Sequence, residues 1–240
     1  MRVVSLVPSL TEAIAATEPG LLVGATAWCT HPAELDVERI GGTKNPDVAR
    51  ITALRPDLVV ANEEENRSDD LAELKTAGIP VLLTRIRTLD EAFRELDRIL
   101  TSGCGLDRPR WLDEVEAAWA SSAPGAPATS AIIPIWRRPW MVLGRDTFAG
   151  DVLARLGVRN IYADHAERYP KIPLPELLSA EAQLIVLPDE PYAFSASDGP
   201  EAFPGLPSAL VSGRHLTWYG PSLVSAPDVL RRQLRSAAVS

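Results

Sequence analysis

Side chains that could bind a metal ion occur in two short segments of the sequence. Cys29 and His31 are separated by one residue, and three consecutive glutamates stand at residues 63–65. Thiolate, imidazole and carboxylate groups are common ligands of divalent transition metals. A Cys-x-His pair alone is a weak signature, because it lacks the paired spacings of structural zinc sites. A divalent-metal site using Cys29 and His31 is therefore one hypothesis, and a buried thiol beside a surface histidine is the other.

Aromatic side chains form a second group, and they fall mostly in segments without helical or strand periodicity. Large flat side chains on loops indicate a cleft for a flat or apolar ligand. The alternative is that each ring packs as a lid on the core of its own lobe. The aromatic candidates for ligand binding are Trp28, Trp136, Trp140, Tyr192, Phe194 and Trp218.

Polar and charged residues accompany these rings at the ends of the predicted strands. Arg137 and its neighbour Arg138 could bind carboxylates or phosphates, or they could simply be exposed. An acidic run such as residues 63–65 is most often a solvated turn, and its position directly after a predicted buried strand is what makes it a candidate. The polar candidates for ligand binding at these ends are Ser9, Asn62, Glu63, Arg85 and Arg137.

The sequence signatures of several large enzyme classes are missing. There is no GxSxG elbow, no Walker loop, no GxGxxG after a strand and no HExxH. We therefore predict no catalytic residues and expect a binding protein. An enzyme acting on a cofactor intermediate is the alternative from a different functional class.

The chain is acidic, with a formal net charge of −8 and a pI near 5.0. This charge argues against a nucleic-acid or anionic-membrane partner, either of which needs a basic face. Cys29 and Cys104 lie far apart in unlike contexts, so we expect two free thiols. A monomer that binds a small molecule is the default expectation.

The first 17 residues bear on the cellular compartment. Their apolar run is interrupted by Ser5, Pro8 and Ser9, so it does not resemble the continuous core of a signal peptide. No stretch approaches the length of a membrane span. This pattern predicts a cytoplasmic protein, with an extracytoplasmic one as the alternative if a leader has been removed.

One amphipathic segment near the middle of the chain, residues 106–122, predicts a helix. Leu112, Val115 and Trp119 recur at helical spacing and form one apolar stripe. Such a helix would be about 24 Å long, enough for a strut. Short β-branched runs alternate with amphipathic segments on both sides of it, which indicates βαβ units and parallel sheets. One late strand is predicted to end at residues 217–219.

The predicted architecture is therefore α/β, with two lobes that each contain a parallel sheet and are joined by one long backbone helix. The boundaries are residues 1–105 for the first lobe, 106–123 for the linking helix and 124–240 for the second lobe, with a short linker at residues 124–127. In an open parallel sheet a ligand binds at the carboxyl ends of the strands. We expect the ligand cleft between the lobes.

Several motifs together resemble a known family. They are VVSLVPSLTE, VGATAWCTHPAE, GGTKNPD, ALRPDLVVANEEEN and AGIPV in the first lobe, and VLGRDTFAGDVLARLGVRNI and AQLIVL in the second. The ordered set is similar to the helical-backbone metal receptors, class III periplasmic-type substrate-binding proteins of ABC importers, and in particular to their cobalamin-binding members. The resemblance implies the same two-lobed fold. It also implies a non-catalytic protein that binds cobalamin or a related corrinoid, tetrapyrrole or metal chelate.

The resemblance also implies roles for individual positions. Trp28 matches an aromatic residue that flanks the corrin, and Lys44 lies near a second contact loop, whereas Asn62 stands where some members carry tryptophan. The importers present a glutamate on each lobe to an ABC permease. Glu176 lies near the second of these positions, but Ala49 occupies the first. A permease that docks on this protein would therefore find only one of the two carboxylates.

Overall fold

The computed structural model describes residues 1–122 and 129–239, which divide into two compact units. The first unit comprises Met1–Ile86, Asp90–Val115 and Tyr219–Pro221. The second comprises Arg87–Leu89, Glu116–Trp218 and Ser222–Ser240.

The first unit is a five-stranded parallel sheet with helices in the connections. Its strands are arranged in the order β3-β2-β1-β4-β5. The elements in chain order are β1 (Val3–Ser5), α1 (Pro8–Thr17), β2 (Leu22–Ala25), β3 (Glu38–Arg39), α2 (Val48–Leu54), β4 (Leu58–Asn62), α3 (Ser68–Thr76), β5 (Val81–Thr84), α4 (Leu89–Arg98) and the start of α5 (Arg110–Trp119).

The middle strands of this sheet explain the apolar run in the sequence. β4 is buried at every position, because β1 and β5 flank it and helices cover the sheet. Val4 on β1 and Val59 on β4 join Ile51 of α2 and Leu74 of α3 in one core. Burial of such side chains from water is the main stabilising term for a unit of this kind.

The second unit repeats the plan with one antiparallel strand. Its sheet has the order β12-β11-β10-β6-β9, and all neighbouring strands are parallel except β11 and β12. An antiparallel hairpin, β7-β8, follows the first strand. The elements are β6 (Thr129–Ile132), β7 (Pro134–Arg137), β8 (Trp140–Val142), α6 (Phe148–Arg155), β9 (Val158–Asn160), α7 (Leu174–Ser179), β10 (Leu184–Pro188), β11 (Pro207–Val211), α8 (Gly213–Thr217), α9 (Ala226–Arg235) and β12 (Ala238–Val239).

The core of the second unit includes side chains from a region without regular pattern. Ile185 and Leu187 of β10 pack with Phe194 and Phe203, which lie in the turn-rich segment after that strand. Phe203 is fully buried. The α/β class with parallel sheets in two lobes is confirmed, and the antiparallel strand β12 is an addition that the sequence pattern did not predict.

The predicted linking helix is shorter in the structure. α5 covers Arg110–Trp119, about 15 Å, instead of residues 106–122. A π-helical turn at Ile99–Gly103 precedes it, and Gly105 then adopts a φ of +68°, which ends helical structure there. The two units meet in sequence inside α5, between Val115 and Glu116. Residue 123 and the predicted linker at residues 124–127 lie outside the described residues.

The predicted late strand at residues 217–219 is wrong. The strand lies earlier, at β11, and is followed by helix α8. Ser212 caps this helix, since its side chain accepts a hydrogen bond from the backbone N–H of His215. Trp218 therefore follows a helix end instead of a strand end.

Within the two described ranges, every helix is too short or too polar to span a bilayer.

Candidate functional site

In the first unit, the loops after the strands carry one strongly exposed ring. Trp28 is 66% exposed and follows β2. Its indole nitrogen would lie 3.5 Å from a Cβ placed on Gly42, so the ring runs close to the backbone of the GGTKNP loop. That distance is an ordinary van der Waals contact, and the side chain that a Cβ on Gly42 would obstruct is that of Asn45, whose Oδ1 would lie 2.5 Å away. Trp28 thus presents a flat apolar surface from a position that a neighbouring loop supports.

Asn66 connects three of these loops. Its side-chain amide donates to the carbonyl oxygen of Leu6 at 3.2 Å and to that of Thr43 at 3.0 Å. Its Oδ1 accepts from the backbone N–H of Asn62 at 2.9 Å. Because Asn66 is buried, these bonds replace ones to water and fix the spacing of the loops.

Two of the polar candidates in this unit are buried. Asn62 is 1% exposed, donates to Thr84 Oγ1 at 3.1 Å and accepts from the backbone N–H of Glu64 at 2.9 Å. Ser9 is 4% exposed on α1. The structure thus gives Asn62 a supporting role in the loop at residues 62–66, and ligand contact by either residue stays a prediction.

The acidic loop at residues 63–65 is balanced by two cations. Arg85 donates to the Glu63 carboxylate at 2.8 Å, and the Lys44 ammonium donates to the backbone carbonyl of Glu64. Burial raises the pKa of the Glu65 carboxyl, and the charge of Lys44 opposes that rise. Lys44, Glu63 and Arg85 therefore lie in one neighbourhood, as expected for Glu63 and Arg85 from their positions after adjacent predicted strands.

Cys29 is buried, whereas its predicted metal-binding partner His31 is partly exposed. Cys29 is 1% exposed, and its sulfur lies 3.0 Å from Thr11 Oγ1 and 3.2 Å from Thr26 Oγ1. Burial raises the pKa of the Cys29 thiol, which disfavours the thiolate that a metal needs. Across residues 1–122 and 129–239, no three His, Cys, Asp or Glu side chains are grouped as a metal site would require. Metal binding by Cys29 and His31 stays a prediction.

The second unit brings four of the aromatic candidates together. Trp136 and Tyr192 meet edge to face with ring centroids 5.5 Å apart, and Trp140 stacks on Phe194 at 6.1 Å. Tyr192 and Phe194 join the two pairs at 4.6 Å, and Phe203 lies against Trp140 at 5.3 Å. We call these five residues the aromatic cluster. Trp136 is 42% exposed, whereas Phe194 is buried, so the cluster extends from the core to the surface.

Arg137 is held inside this cluster. It forms ion pairs with Asp198 and Glu201, and its guanidinium lies 5.5 Å from the centre of the Trp140 ring. Tyr192 adds a hydrogen bond to Asp198 at 2.6 Å. The carboxylates that Arg137 binds are therefore those of its own chain.

A groove of about 400 Å³ runs beside the cluster, lined by residues 137–140 and 171–173. Its two walls are held together by the backbone, since Ile172 N–H donates to the carbonyl of Trp140 at 3.1 Å and Val142 N–H to that of Pro170 at 3.1 Å. Arg138 and Lys171 are exposed at its rim. The volume falls within the range of small-molecule sites.

Trp218 is not an exposed ring. It is 8% exposed, its indole N–H donates to the Glu190 carboxylate at 3.0 Å, and Arg214 lies 5.9 Å from its ring centre. This agrees with the alternative in which a loop tryptophan covers its own lobe. Phe194 is buried in the same sense.

Three contributors were absent from the sequence-based candidates: Asn66, Lys171 and Phe203. Asn66 could have been suspected from its place at the end of the acidic loop, where a side-chain amide often bonds to backbone. Lys171 and Phe203 gave no local signal, because the groove wall opposite Lys171 and the rings that pack on Phe203 lie far away in sequence.

Comparison with known proteins assigns the chain to a family. Residues 3–204 match the sequence profile of a family described as "Periplasmic binding protein". A vitamin B12-binding protein of Pectobacterium atrosepticum is 25% identical over 197 residues, covering 78% of this chain and 71% of the relative. Both names describe binding proteins and not enzymes.

Solved structures share the fold over nearly the whole chain. The periplasmic vitamin B12-binding protein BtuF of Vibrio cholerae superposes with a TM-score of 0.74 at 21% identity, covering 98% of this chain and 96% of that one. The periplasmic heme-binding protein RhuT of Roseiflexus sp. RS-1 gives 0.73 at 20% identity, covering 97% and 98%. The resemblance predicted from the motifs is confirmed: the chain belongs to the periplasmic binding protein family.

Proposed function

We propose that this protein binds, without catalysis, a planar macrocyclic chelate such as cobalamin, a related corrinoid or another tetrapyrrole. The observation that carries this proposal is the pair of exposed tryptophans, Trp28 on the loop after β2 and Trp136 on strand β7. Family membership and relatives named for vitamin B12 and heme support the same ligand class.

The physical argument is that positioned indole rings lose little conformational entropy when a ligand binds, while the ligand buries their exposed apolar surface. Trp28 is supported by the Gly42 loop, and Trp136 is supported by Tyr192. A ring that is already positioned has little rotational freedom left to lose when the ligand binds. Stacking of a flat ligand on either ring would also gain the aromatic contribution beyond area alone.

The same relatives support proposals about the cellular compartment and the protein partner. The structural relatives are named as periplasmic proteins, which supports the extracytoplasmic alternative over the cytoplasmic prediction. We propose that an ABC permease receives the ligand. Glu176 is exposed on α7 and can offer a carboxylate to it, whereas the exposed Ala49 on α2 cannot.

The test is a titration of the purified protein with cobalamin, cobinamide and haem, in which tryptophan fluorescence is measured after each addition of ligand. We expect saturable quenching with at least one of them, and weaker binding in Trp28→Ala and Trp136→Ala. Trp111→Phe is the matched control, since Trp111 bonds to Thr17 at 3.0 Å on α1 and is no candidate contact. Absence of saturable quenching with all three ligands would reject the proposal.

Mass analysis of the released ligand separates binding from catalysis. A binder returns the ligand unchanged after prolonged incubation. A chemically altered ligand would instead favour the enzyme alternative.

A further inference from the structure

The groove beside the aromatic cluster contains two cations that the protein itself does not neutralise. Arg138 lies in the turn of the β7-β8 hairpin, and Lys171 lies on the opposite wall, bridged to Met141. Within the described ranges, neither side chain has a hydrogen-bond or ion-pair partner. Two like charges lining one groove repel each other unless an anion lies between them.

The contrast with Arg137 is informative, because the two arginines are adjacent in sequence. Arg137 has Asp198 and Glu201 as partners and is only 17% exposed at its side chain. Those carboxylates are committed to it and leave the charges of Arg138 and Lys171 unbalanced.

The remaining groove surface is apolar. Trp140 forms part of one wall, and Ile172, which is 6% exposed, forms part of the other. An apolar wall lowers the local dielectric constant, so a charge pair at its edge is stronger than one in open water. This combination suits an acidic group attached to a flat apolar body.

We propose that Arg138 and Lys171 bind a carboxylate or phosphate carried by the ligand, while the ring system of that ligand contacts Trp140. The guanidinium of Arg138 can donate two parallel hydrogen bonds to either anion, and the ammonium of Lys171 adds a point charge. This inference rests on the proposed function and narrows it to an acidic chelate.

Ligand pairs that differ in their acidic groups distinguish the sources of the anion. Haem carries two carboxylates, and its dimethyl ester carries none. Cobalamin carries a phosphodiester, and cobinamide lacks it together with the attached ribose and base. A preference within the first pair that depends on Arg138 and Lys171 identifies a carboxylate, and such a preference within the second pair identifies a phosphate.

The experiment measures binding of all four ligands to the wild type and to the Arg138→Gln/Lys171→Gln double variant. We expect the wild type to prefer the acidic member of one pair by about tenfold, as loss of a charged hydrogen bond implies. The double variant should lose this preference and bind the neutral member as before. Arg159→Gln, which removes an exposed cation on β9, is the control and should behave as wild type.

Three results would overturn the inference, and they are distinguishable. If the neutral and acidic members bind the wild type equally, or the double variant keeps the preference, the inference fails while the proposed function stands. If none of the four ligands binds, both fail.

Discussion

The guanidinium of Arg137 lies 5.5 Å from the centre of the Trp140 ring while it is also paired with Asp198 and Glu201. One side chain thus links the β7-β8 hairpin to the segment that follows β10. The aromatic cluster depends on this link, because Tyr192 bonds to the same Asp198.

Arg137→Gln should destabilise the protein by about 1 kcal/mol, since its carboxylate partners are partly exposed and screened by solvent. The free energy of unfolding in urea measures this. Arg138→Gln is the matched control and should leave stability unchanged. Equal stability of both variants would contradict a bracing role for Arg137.

The ion pair between Arg137 and Glu201 predicts that the stability of the fold depends on pH. Burial alone would raise the pKa of Glu201, but hydrogen bonds from the Gly199 N–H and from Arg137 bring it below its ordinary value of 4.5. A carboxyl with a lowered folded-state pKa stabilises the fold above its unfolded pKa, and this contribution is lost as the pH falls through the folded value. The urea midpoint of the wild type should therefore fall as the pH is lowered below about 4.5. In Glu201→Gln the midpoint should fall less steeply over the same range. Identical slopes would refute the assignment.

Asn66→Asp should cost about 2–3 kcal/mol, because a carboxylate cannot donate to the carbonyls of Leu6 and Thr43 and leaves both unsatisfied. Chemical denaturation checks this value. Asn45→Asp introduces the same charge at an exposed position and should have little effect. A similar loss in both variants would point to charge alone.

Substitution of an exposed tryptophan and of a buried one should have different effects on the stability of the fold. Trp28→Ala should change stability by less than about 0.5 kcal/mol, since the ring is mostly exposed. Trp119→Ala should cost about 3–5 kcal/mol, because the ring is 2% exposed and its N–H donates to the carbonyl of Leu223. Thermal unfolding of both variants measures the difference. A large loss in Trp28→Ala would show that its ring is structural.

Both cysteines should resist a thiol reagent such as DTNB in the folded protein at mildly alkaline pH. They are free and buried, as expected, and burial raises the pKa of Cys104 to about 11 and also raises that of Cys29. The reactive thiolate is therefore scarce and shielded. Both thiols should react after unfolding in guanidinium chloride. Rapid reaction of the folded protein would show that one of them reaches solvent.

The strands were predictable where burial on both faces makes the sequence itself apolar. The segment at residues 57–61 becomes β4 with a shift of one residue. Helix α5 was harder, because its stripe of Leu112, Val115 and Trp119 is correct but the segment before it is not helical. A π-helical turn and the positive φ of Gly105 interrupt helical structure there, and hydrophobic periodicity reveals neither.

The candidate site was less predictable, because exposure depends on distant partners. Trp28 and Trp218 have similar loop contexts, yet only Trp218 meets a carboxylate, that of Glu190, which lies 28 residues earlier. Arg137 and Arg138 are adjacent residues of the same type, at the end of β7 and in the turn that follows it. Only the fold brings Asp198 and Glu201 to the first of them.

The antiparallel strand β12 covers the outer edge of β11, with Val239 opposite Pro207 and Ala238 opposite Ser208. Shortening the polypeptide before Ala238 would bare the N–H and C=O groups of that edge. Bare edges are templates for pairing with another molecule. Truncated versions should therefore self-associate and lose solubility, even with every ring and charge of the binding surfaces intact.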